Sequence, residues 1–71
     1  MKKENLIIII KNEARYLNKK IEAFSSLAVS SLGDNGGETE ESRVYRELES
    51  LYERSFESLS EYAKNVFDIN L

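Results

Sequence analysis

The sequence has no cysteine, no histidine, no proline and no tryptophan, and only three glycines in 71 residues. Without Cys there is no disulfide to staple a small chain, and the absence fits a reducing compartment. Without His or Cys a zinc centre lacks its ordinary ligands, and a serine nucleophile lacks its usual base. Without Pro nothing forces a break in a helix. Long hydrophobic runs are also missing. The longest covers residues 6–10, one Leu and four Ile between Lys3-Glu4-Asn5 and Lys11, far short of the ~20 residues of a membrane span and shorter than a signal-peptide core. The expectation is a soluble, cytoplasmic chain without a membrane anchor.

What is present is an ordered helical composition, 41% apolar and 32% charged, rather than a disordered one. Residues 1–71 make one small domain. Below roughly 70–80 residues a single core seldom supplies more than ~3–5 kcal/mol. Disulfides, a metal or oligomerisation are the usual remedies, and the composition leaves the last. The net charge of −3 conceals an asymmetry: residues 1–32 carry six basic and three acidic side chains, residues 33–71 four basic and ten acidic. Opposite halves attract in a hairpin, and the overall acidity argues against DNA as a partner.

Apolar spacing gives the elements. Ile7, Ile10, Ala14, Leu17, Ile21, Phe24 and Ala28 alternate steps of three and four, which places them along one helix face. The spacing predicts a helix over 5–32, with Glu4 or Asn5 serving its first free amides. Residues 6–10 would then form a helix end buried on most sides, since β-branched Ile at four successive positions points all round the axis. A short strand is the alternative, and no second β-rich run exists to pair it. Four Ser between positions 25 and 31 weaken the helix end, and Gly33-Asp34-Asn35-Gly36-Gly37 marks a loop over 33–38. A second helix follows over 39–68, capped by Thr39 with Glu40 and Glu41 in its first turn. Val44, Leu48, Leu51, Ser55, Leu59, Tyr62, Val66 and Ile69 make its main apolar line, and Tyr45, Tyr52, Phe56 and Ala63 widen it.

A loop centred near Asn35 sets the register of an antiparallel hairpin, in which residues side by side have numbers summing to roughly 71. Lys11, Arg15 and Lys19 then face the acidic row Glu49, Glu53, Glu57, Glu61 within one residue, and ion pairs between the helices are expected. Ile8, Ile9, Tyr16 and Leu27 on one helix, and Tyr45, Tyr52 and Phe56 on the other, remain to spare. The fold expected is all-α, an antiparallel two-helix hairpin that oligomerises into a helical bundle. Its interface residues are Ile7, Ile10, Leu17, Ile21, Phe24, Leu48, Tyr52, Phe56 and Leu59.

Candidate chemistry is sparse. The Glu row is a solvated face rather than a metal site, because carboxylate bundles of the di-iron type use Glu-x-x-His. Nine Ser are present, none in a Gly-flanked elbow and none with a His beside it. The reading is non-enzymatic, with no cofactor and no metal. Two basic and aromatic clusters could hold an anionic nucleotide: Lys11, Arg15, Tyr16 and Lys19 on the first helix, and Arg43, Tyr45 and Arg46 on the second. The alternative is that they are ion pairs and interface aromatics, since Tyr and Arg are also enriched at protein-binding hot spots.

Ile10-Lys11, Ala14, Leu17 and Ile21, followed by Arg43, Ser55-Phe56 and Leu59, resemble the paired-helix pattern of phage anti-CBASS sponges, small helical oligomers that sequester cyclic oligonucleotide signals. The resemblance covers about half of the chain. It departs at Ser55, where a Gly is expected, and at Glu61-Tyr62, in place of Arg-Ala. It implies a nucleotide ligand, with Lys11 and Arg43 as the basic positions. Arg46-Glu47-Leu48-Glu49 also looks like the Ser-Gln-Glu-Leu-Asp signature of small helical sporulation phosphatases. Tyr45, Arg46 and Glu49 stand where that signature has Ser, Gln and Asp, so that assignment is rejected.

Three functions remain as expectations. The first is a homo-oligomeric binding or inhibitory protein that docks a protein partner, a role that suits a phage or mobile-element accessory factor. The second is a nucleotide sponge with its site at the oligomer interface. The third is a structural assembly unit.

Overall fold

The computed structural model describes residues 2–71 and consists of two antiparallel helices, α1 (Lys3–Ser30) and α2 (Glu40–Phe67), in a rod 52 Å long and about 16 Å across. The all-α hairpin expected from the spacing is the fold, with each helix 28 residues long. Each boundary falls within two residues of its expected place. Met1 lies outside the described residues.

The start of α1 differs in detail. Lys2 occupies the cap position in extended conformation with no side-chain bond, and its carbonyl accepts from the N–H groups of Asn5 and Leu6 at 3.1 and 3.3 Å. Asn5 is therefore inside the helix rather than capping it, and Glu4 sits in the first turn, where an acid suits the positive helix end. Residues 6–10 are helical, and no strand occurs among the described residues. Their burial is one-sided: Ile10 is buried and Ile7 half-buried, whereas Leu6, Ile8 and Ile9 are exposed. A single hairpin covers only one face of this segment.

The loop end is closed by hydrogen bonds that the sequence announces. Gly36 has φ +78°, and its N–H donates to the Gly33 carbonyl at 2.8 Å, closing a turn that a side chain would strain. Thr39 then links both helices. Its Oγ1 accepts from the Ser42 N–H at 3.0 Å and donates to the Ser31 carbonyl at 2.6 Å, while the Ser42 Oγ accepts from the Thr39 N–H at 2.9 Å. One hydroxyl thus completes a capping box on α2 and serves the free carbonyl end of α1. At the far end Asp68 is left-handed (φ 55°), with its N–H on the Lys64 carbonyl and the Ile69 N–H on that of Ala63. This cap turns residues 69–71 back along the hairpin.

The seam follows the expected register. Phe24 is stacked between Tyr45 and Tyr52, with ring centroids 6.2 and 5.6 Å away; those two positions bracket position ~47, which the register assigns to Phe24. Among the described residues Ile10, Ala14, Leu17, Ala28, Ser42 and Ala63 are buried, the last three of them completely, where small side chains let the backbones approach. One assignment reverses. On α2 the stripe facing α1 is Tyr45, Tyr52, Phe56 and Ala63, and the line read as its main seam leaves Val44, Leu51, Tyr62 and Val66 exposed. Aromatic rings each bury ~150–250 Å², so turning that stripe inward fills the space between two narrow helices better than Val and Leu would.

Thr39→Ala removes a cap and a cross-helix bond together. It is expected to cost ~1–2 kcal/mol and lower the thermal midpoint by several degrees in a circular dichroism melt, with Thr39→Ser recovering most of the loss. An unchanged midpoint for Thr39→Ala would show that the hydroxyl carries neither end.

Candidate functional site

A two-helix hairpin has a seam and, on either side of it, a flank built from both helices. At about 100° of rotation per residue, the side chains beside the seam fall into two sets of opposite character. On the first flank α1 places Leu6, Ile9, Tyr16 and Leu27, and α2 places Val44, Leu51, Tyr62 and Val66. Among the described residues these are eight of the ten large apolar side chains that remain exposed, at 37–54% of their area. Only Ile8, on the outer side of α1, and Val29 lie elsewhere.

The two rows on this flank run side by side. The hairpin register sets Leu6 beside Val66, Ile9 beside Tyr62 and Leu27 beside Val44, each within one residue. Tyr16 and Ser55 share the middle. On α2 the row 44, 48, 51, 55, 59, 62, 66 is spaced symmetrically about Ser55, with Val44 mirroring Val66, Leu51 mirroring Leu59 and Leu48 mirroring Tyr62. On α1 the row 6, 9, 13, 16, 20, 23, 27 carries two charges, Glu13 and Lys20, placed either side of its centre. The Lys20 ammonium lies 5.6 Å from the Tyr16 ring centroid, so its stem covers the ring.

The second flank is polar. Lys11, Arg15 and Asn18 form one wall of an open cleft of about 230 Å³, with Ala14 and Phe56 beneath and Asn70 and Leu71 of the returning tail opposite. Glu53, Glu57 and Glu61 lie on the same flank and are exposed. The ion pairs expected between these rows do not form. Among the described residues there are two ion pairs, Arg43–Glu38 at 3.8 Å and Lys64–Asp68 at 2.8 Å, and neither joins the two helices. The reason is rotational. Residues spaced by four advance about 40° past a full turn at each step, so the basic row swings away from the seam as the acidic row beside it swings towards it. Lys11 is close to the seam where Glu61 is far, and the converse holds for Lys19 and Glu53.

The sequence candidates for ligand binding are not gathered into one place. Lys11 and Arg15 line the cleft. Tyr16 belongs to the apolar flank, and Lys19 is exposed on the outer side of α1. Arg43 pairs with Glu38, Tyr45 is stacked on Phe24, and Arg46 is exposed. At roughly 1.5 Å of rise per residue, Arg43 stands about 25 Å along the rod from Lys11. A shallow depression does border Tyr45, lined by Thr39, Glu40, Glu41 and Val44, and its two carboxylates oppose an anionic ligand. The interface candidates Ile7, Ile10, Leu17, Ile21, Phe24, Leu48, Tyr52, Phe56 and Leu59 are all buried or half-buried within the hairpin. Missing from both sets were Asn18 and Asn70, which reach the cleft only because the Asp68 cap folds the tail back.

Among the described residues no three His, Cys, Asp or Glu side chains are arranged to hold a metal ion, and no helix is long and apolar enough to cross a membrane. Comparison with protein-family models, with curated proteins and with solved structures gave no match.

Because Lys11 and Arg15 have no carboxylate partner across the seam, Lys11→Gln plus Arg15→Gln should change stability by no more than about 0.5 kcal/mol. A chemical-denaturation midpoint falling by more than twice that equivalent would reinstate the ion-pair seam.

Proposed function

We propose that the protein is a non-enzymatic helical binding protein that acts by docking its apolar flank on another polypeptide chain. The observation that carries this reading is the gathering of eight of the ten exposed large apolar side chains on that flank. Scattered apolar residues are ordinary on any surface, but their gathering on one flank of two helices marks a contact. The area agrees. The chain exposes 5307 Å² for 8.2 kDa, against about 4,500 Å² for a compact monomer of that mass, an excess of roughly 800 Å². A standard interface removes ~800 Å² from each partner. Such a protein works by occupancy: it covers a surface or joins an assembly, and needs no reactive group to do so.

The test is site-specific photo-crosslinking in cells that make the protein, with a benzophenone side chain at Leu51 or Tyr62 on the apolar flank and at Glu57 on the polar one. Adducts from 51 and 62 and none from 57 are expected. Adducts from 57 alone, or from no position, would overturn the reading.

The cleft supports a second reading, binding of a small anion. Lys11 and Arg15 supply charge, Asn18 and Asn70 supply amide donors, and Phe56 offers an apolar wall. Phenyl phosphate titrated into labelled protein should then shift the Asn18 and Asn70 amide resonances saturably, and Lys11→Ala plus Arg15→Ala should abolish the shifts. Equal shifts in that double variant would remove the cleft as a site. In this arrangement the anion site lies on the flank opposite the docking surface, not at the oligomer interface.

A further inference from the structure

We infer that the occupant of the apolar flank is a second copy of this chain, seated antiparallel about a two-fold axis that crosses both helices at the height of Tyr16 and Ser55. The inference rests on the docking reading above and names its partner.

Three observations point to a second copy. The first is the burial deficit. Of the five buried apolar residues three are Ala, leaving Ile10 and Leu17 as the only large ones, and ordering each residue costs roughly 1–2 kcal/mol. The covering surface therefore contributes to folding itself, which a partner present in every cell that makes the chain can do. The second is size: the surplus of roughly 800 Å² matches one side of a standard protein–protein interface, and a second copy brings the same surplus to meet it.

The third is symmetry, which a foreign partner would not require. A two-fold contact sets each residue against its mirror position in the partner. On α2 the palindromic spacing about Ser55 sets Val44 against the partner's Val66 and Ser55 against the partner's Ser55. On α1 the same axis sets Leu6 against the partner's Leu27, and Glu13 against the partner's Lys20. Both axes coincide, because Tyr16 and Ser55 lie side by side in the hairpin register. The two charges that interrupt an otherwise apolar row thus become two equivalent ion pairs, and the residue on the axis is small enough for the α2 helices to approach. The other two-fold arrangement, with its axis along the rod, would lay each α1 over the partner's α2 and set Lys20 against the partner's Leu51, with no acid opposite. Charges facing an apolar row without opposite partners would then disfavour it.

The absence of cysteine makes the test clean. Ser55→Cys, a single thiol on the axis, should form a disulfide-linked dimer under mild oxidation, whereas Leu6→Cys, set against the partner's Leu27, should not. Native mass spectrometry should find the unmodified chain at twice its mass. Glu13→Lys should weaken the dimer by roughly tenfold or more, and Glu13→Lys with Lys20→Glu should restore it. Circular dichroism confirms in each case that the variant is helical. A helical monomer at every concentration overturns the second copy, and the docking reading survives if the 51 and 62 adducts then carry a foreign chain. A dimer in which Ser55→Cys stays reduced, or which the charge swap fails to restore, overturns the antiparallel axis.

Discussion

A pair of helices has one seam, and everything else about this chain follows from that limit. Each helix can turn one stripe towards its neighbour. Here that stripe is filled by Phe24 between Tyr45 and Tyr52, by Leu17 and Ile10, and by Ala28, Ser42 and Ala63 where the helices come close. Both helices nevertheless carry more apolar surface than one stripe can hold. What the seam cannot take is displayed on a flank, where the proposed second copy would cover it.

The two ends of the rod fix the seam's register by different means. At the loop, Thr39 closes the capping box of α2 while donating to Ser31, so the end of one helix and the start of the next share one hydroxyl. At the open end no covalent turn exists. The left-handed Asp68 sends the tail back beside Ala14 and Phe56, which builds the cleft and covers part of the seam there. With both ends set, the rows on the apolar flank stand at matched heights, which the proposed two-fold contact requires.

How much of this could be read in the sequence differs from residue to residue. The hairpin, its loop and the Thr39 cap were all legible, because turn glycines, a cap followed by acids and three-four spacing are local signals. The register was legible too, since it needs only the loop centre. The choice of inward stripe on α2 was not. Val44–Leu51–Tyr62–Val66 and Tyr45–Tyr52–Phe56 both have helical spacing, and spacing alone does not say which of two adjacent stripes meets the partner. The interhelical ion pairs failed for a related reason: matched heights do not guarantee matched rotation, and rows spaced by four drift round the helix. The cleft depends on the folded-back tail, which no spacing rule foretells.

A second copy on the apolar flank, as proposed, makes stability depend on association. The most direct measurement is the thermal midpoint of the purified protein as a function of its own concentration. Unfolding coupled to dissociation requires the midpoint to rise with concentration, by several degrees over a hundredfold range. A midpoint independent of concentration, from a fully helical chain, would show that the hairpin stands alone and contradict the account.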